Sequence, residues 1–144
     1  MLRKGIVERQ VEALVRTLFL LKRREEEGAL AEVRQGLTAA SKELTGIPWN
    51  LARTMTAESL LGLLRNGSLL DAGRAAVLAV LLHEHGMREE SIDSNGAART
   101  EFSKALVLLE AAVESEPLLR TAEFEERLAD LRVRLGVPNR PKKG

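Results

Sequence analysis

His83, Glu84 and His85 are the only histidine cluster in the chain. A zinc-protease helix needs its two histidines four apart with a glutamate beside the first, because that spacing puts both imidazoles on one face. Here they are two apart and point to different faces, so no metal ligation or catalysis is expected of them. The simpler reading places one histidine on the exposed side of a helix and the other near its C-terminus, where the helix dipole favours a partly positive ring. Gly5, Gly28, Gly36, Gly46, Gly62, Gly67 and Gly73 are scattered singly, and none is followed by Lys and then Ser or Thr as a phosphate loop requires. No Gly-x-Ser-x-Gly elbow is present either. An acid–base enzyme would need Glu84 or Glu101 in a pocket with a raised pKa. Without cysteine there is no disulfide, thiolate metal site or cysteine nucleophile. The residues therefore predict a non-enzyme with no cofactor and no metal.

Charge points the same way. The 22 basic and 21 acidic residues leave a net charge of +1, too little to steer nucleic acid or an anionic membrane by a general field. Lys22, Arg23 and Arg24 followed by Glu25, Glu26 and Glu27 read as a solvated helix face with i,i+3 and i,i+4 pairs. Arg140, Lys142 and Lys143 make the tail 139–144 basic, and it is expected to be disordered and solubilising. Trp49, the one indole, sits beside Pro48 and reads as a plug over a helix junction, not as a binding anchor. No apolar run approaches the roughly 20 residues of a membrane helix and no signal peptide opens the chain, so a cytoplasmic protein without membrane contact is expected.

The elements that position these residues are helices. Val7, Val11, Leu14, Leu18 and Leu21 recur at spacings of four and three, predicting a helix over Ile6 to Glu27. Leu30, Val33, Leu37, Ala40 and Leu44 predict a second over Ala29 to Leu44, closed by Gly46 and Pro48. The short link between them makes an antiparallel hairpin. After an irregular bend or one short turn beginning at Ile47 to Trp49, a short helix over Ala57 to Asn66 carries Leu60, Leu61, Leu63 and Leu64 around most of its circumference, which predicts a buried position between neighbours. An Asn66–Ser68 turn leads to a fourth helix, Asp71 to Glu90, with Ala75, Ala79, Leu82 and Gly86 in line. A loop over Ser91 to Ala97 precedes a fifth, Ala98 to Ser115, and Pro117 separates it from a sixth, Thr121 to Leu135. The expectation is all-α, one domain over residues 1–138, with about six helices.

Gly86, Ala98, Phe102 and Ala105, spaced 12, 4 and 3, resemble the glycine, alanine, aromatic and alanine signature of a tetratricopeptide repeat. Gly28 with Leu20, Leu21, Val33, Leu37 and Ala40 gives the first hairpin a more worn likeness to the same unit. The layout is similar to that of small bacterial tetratricopeptide-like families to which no activity is assigned. The resemblance implies hairpins stacked around the short helix, with the sixth helix as a polar-faced cap. It also implies a concave groove lined by the first helix of each pair. Lys22 and Glu26 from helix one, and His83, Met87 and Glu90 from helix four, would face it.

The leading expectation is a module that binds a peptide or a partner helix in that groove. Val7, Val11, Val15 and Phe19 give helix one apolar surface on more than one side, so pairing with a second copy of the chain is expected there. The alternative is a small regulator that meets nucleic acid through the basic tail and the arginines of helix six, though the weak basic character makes nucleic acid the less favoured partner.

Overall fold

A computed structural model describes residues 2–90 and 96–138, with the side chains of residues 2–4 left aside. It is all-α apart from one two-residue ladder. The helices are α1 (Leu2–Glu26), α2 (Leu30–Ala40), α3 (Trp49–Thr54), α4 (Ala57–Leu63), α5 (Ala72–Glu90), α6 (Ala97–Ser115) and α7 (Ala122–Leu135). The count is seven among the described residues, against the six expected. The tail 139–144 and most of the Ser91–Ala97 link, on which two expectations fell, lie outside the described residues.

The hairpin of α1 and α2 closes where expected. Gly28 takes φ +83°, and its N–H and that of Ala29 bond back to the carbonyls of Glu25 and Arg24. This double return satisfies two of the orphan carbonyls at the end of α1 and needs a residue free to enter the left-handed region. Helix two stops four residues earlier than its apolar period suggests. Ser41–Thr45 widen into one π-turn, and the buried Ser41 and Thr45 hydroxyls bond within this segment, Ser41 Oγ to the Ile47 carbonyl at 2.6 Å. The Arg74 guanidinium then reaches across from α5 to the Thr45 carbonyl, Nε at 2.7 Å.

Two expectations about the middle segment need correction. The bend after Pro48 is a full short helix, α3, whose end is anchored when Lys104 of α6 donates to the carbonyls of Ala52 and Arg53. The leucine-rich α4 is not buried between neighbours. It buries Leu60, with Leu64 just after it, while Leu61 is half-buried and Leu63 is 50% exposed. Thr56 caps it by accepting from the Ser59 N–H at 3.1 Å. The following turn pairs Arg65 with Leu70 and Asn66 with Leu69 in a minimal antiparallel ladder.

α5 is the central element. Every residue from Ala75 to His83 is buried, and two and a half turns of helix can be covered on all sides only when neighbours surround them. α1, α2 and the π-turn cover one flank and α6 the other, with α7 laid on α6. Gly86 explains how closely α6 approaches. A Cβ placed there would lie 2.7 Å from Cε1 of Phe102, so the glycine makes room for the ring, and Ala98 and Ala105 are buried beside it.

Candidate functional site: a groove between α1 and α7

The apolar line on α1 explains how a groove arises. Residues four apart on a helix advance by about 40° per step, so Val7, Val11, Val15 and Phe19 turn about 120° around the axis. The burial follows this drift. Val7 is 9% exposed and belongs to the core, Val11 is half-buried, Val15 is 48% exposed and Phe19 61%. Val7 thus leaves the set of freely exposed residues expected for a dimer face, and the open part of the line is its second half.

Val15, Leu18, Phe19 and Lys22 of α1 form one wall of a hollow of about 670 Å³. Glu84, Met87 and Arg88 of α5 lie at its floor, and Glu123 and Arg127 of α7 stand opposite. Lys22 and Met87, both named from the sequence, meet here. Glu26 is exposed on α1 and does not line the hollow, and Glu90 instead pairs with Arg134 of α7.

A chain of charges crosses the floor. Glu25 pairs with Arg88 at 2.8 Å, Arg88 pairs with Glu84 at 2.8 Å, and Glu84 pairs with Arg127 at 2.9 Å. Glu123 lies 3.6 Å from the same Arg127. Burial alone would raise the Glu84 carboxyl, but Arg127 and Arg88 outweigh it and hold Glu84 below its ordinary 4.5. This is opposite to what a general acid needs.

The expectation of one exposed and one capping histidine is wrong for both. His83 and His85 are buried, 3% and 5% exposed. His83 does not line the hollow but sits beneath it. Its Nε2 is 2.6 Å from Asp130 of α7, and its Nδ1 accepts from Arg127 at 3.1 Å. A guanidinium can only donate, so Nδ1 carries no proton and Nε2–H points at the carboxylate. Burial pushes the imidazole below its ordinary 6.5, against the pull of Asp130 and with the help of Arg127. His85 bonds through Nδ1 to Glu101 at 2.8 Å, also buried, and Trp49 lies over the ring at 4.7 Å between centroids. Trp49 is half-buried against this pair.

This arrangement gives stability a definite pH dependence. Folded His83 resists the proton that unfolded His83 takes, so stability is full above about 6.5 and falls as pH drops below it. Glu84 and Asp130, held below their ordinary 4.5 and 3.8, add a second decline below those values. Urea midpoints measured from pH 8 to 2 are expected to fall in these two stages. The variant His83→Gln should flatten the first, and an unchanged upper stage in that variant would count against the assignment.

Among the described residues no group of three or more His, Cys, Asp or Glu is placed to hold a metal ion, and no helix is long and apolar enough to cross a membrane. The arginines of α7 are engaged within the chain, Arg127 with Glu84, Arg132 with Glu110 at 3.0 Å and Arg134 with Asp130 at 2.6 Å. No family model matches the chain, and neither a curated protein nor a solved structure is found to be similar to it.

Proposed function

We propose that the chain is a non-catalytic interaction module that holds a partner's helix or peptide in the groove between α1 and α7. The observation that carries this reading is Phe19, an aromatic ring left 61% in water on the wall of a hollow whose floor holds Met87. Exposed apolar side chains gathered at a concavity mark contact sites more often than isolated ones do. An aromatic anchor beside an adaptable thioether suits a helix face. The implied tetratricopeptide-like arrangement agrees with it, since α1 and α5, the first helices of their hairpins, line the hollow. The internal pairing of the α7 arginines favours this reading over a nucleic-acid regulator.

Phe19→Glu is expected to leave the fold within about 0.5 kcal/mol of wild type, because the ring is mostly solvated. It is expected to weaken a captured partner by roughly 2 kcal/mol or more. The measurement is comparative capture from the source cells, with Val133→Glu, at a site 75% exposed on α7, as the control. Partners lost with Phe19→Glu and kept with Val133→Glu support the groove; identical partner sets from both variants sink it. Sedimentation of the same proteins separates a foreign partner from a second copy, for a dimer split by Phe19→Glu makes the occupant another α1.

A further inference from the structure

A second, separate hollow lies along the same helix. One turn nearer the start of α1, Val7 and Val11 face Leu118, Leu119 and Phe124 across this hollow of about 370 Å³. Glu8 and Glu12 rim it. End to end, the two hollows follow α1 from Val7 to Glu25. From Glu8 to Lys22 is about 21 Å at 1.5 Å per residue, the length of a four-turn helix.

The charges along this groove are polar in arrangement. Arg88 and Arg127 are consumed by Glu25, Glu84 and Glu123. Glu8 and Glu12, exposed and on one side of α1 as an i,i+4 pair, have no ion-pair partner among the described residues, nor does Lys22 at the other end. The apolar line along α1 is thus bracketed by two uncommitted carboxylates at one end and one uncommitted ammonium at the other, with the charges on the floor between them internally paired.

On the reading that this groove is the docking site, we propose that its occupant is an amphipathic helix of about four turns lying antiparallel to α1. Its acidic first turn meets Lys22 and its basic last turn meets Glu8 and Glu12. The orientation follows from two demands that agree. Complementarity puts the partner's cations at the Glu8 end, and the partner's own macrodipole favours cations in its last turn and carboxylates in its first. A helix running the other way would carry its cations against its own N-terminus.

A phage-displayed library of 16-residue peptides tests this. The frame is alanine, the apolar stripe varies among Leu, Ile, Met and Phe, and the positions at each end vary among Glu, Gln and Lys. Clones bound by the wild-type chain and released by Phe19→Glu are expected to be enriched at least fivefold in Glu at the N-terminal end and Lys at the C-terminal end. Selection on the double variant Glu8→Lys, Glu12→Lys should move the C-terminal preference from Lys to Glu. Phe19-dependent clones with uncharged or opposite ends, or an unmoved preference in the double variant, overturn the orientation while leaving the groove reading in place. No Phe19-dependent clone at all overturns both, whereas a Phe19-dependent dimer that no clone displaces overturns the foreign helix and leaves the groove occupied by a second α1.

Discussion

Leu81→Ala should cost about 2–5 kcal/mol and lower Tm by roughly 6–15 °C. Leu81 is fully buried on α5, the helix covered on every side, so neighbours on two flanks are already fixed against one another and cannot both collapse into the space left behind. The comparison is Leu63→Ala on α4, where the side chain is half in water and a loss within about 1 kcal/mol is expected. Thermal or urea unfolding of the two variants measures the difference. Equal losses at both sites would remove α5 as the centre of the core.

Arg127→Met is the second large effect, about 2–3 kcal/mol by urea unfolding, somewhat below the cost of breaking a fully buried pair because water still reaches the edge of the cluster. Arg127 joins three groups at once: it donates to Glu84 and to Nδ1 of His83, and it lies near Glu123. Removing it strips the half-buried Glu84 of its largest favourable partner and takes from His83 the positive charge that opposes protonation. The upper stage of the acid decline should shrink as the imidazole drifts back toward its ordinary pKa. The double variant Arg127→Met, Glu84→Gln should lose less than the two single losses combined, by about 0.5–3 kcal/mol. Strict additivity would mean that Glu84 and Arg127 do not stabilise one another.

The helical class and the two long hairpins are legible in the sequence because α1, α2, α5, α6 and α7 each carry a 3.6-residue apolar period, and turn glycines close several of them. The stripe Val7, Leu14, Leu21 is the buried edge of α1, as its spacing says. Other features resist reading for definable reasons. Pro48 marks a helix stop equally well whether a coil or a new helix follows, and α3 begins directly after it. Three leucines in α4, with Leu64 just after it, cannot reveal that one faces water, since hydrophobicity on all sides of a seven-residue helix fits both a buried and a surface position. The histidines were misplaced because their partners lie far along the chain: Asp130 is 47 residues from His83, and Glu101 is 16 from His85. At the groove, Lys22 and Met87 are legible through the resemblance, whereas Glu84, Arg88 and Arg127 enter only once side chains of α7 are seen to reach α5. The one available signal was the run of alternating charges on α7, which reads equally as a solvated face.

α1 is tied to α5 near both of its ends. Gln10 reaches Asp71, just before the start of α5, at 3.5 Å, and Glu25 reaches Arg88 near its close at 2.8 Å. A beam fastened at two points keeps its distance from its support, so the wall bearing Val15 and Phe19 is already in place before anything arrives. The ordering cost of association then falls on the incoming segment alone, and stiffening that segment, by a lactam staple for example, should raise affinity mainly by slowing its departure.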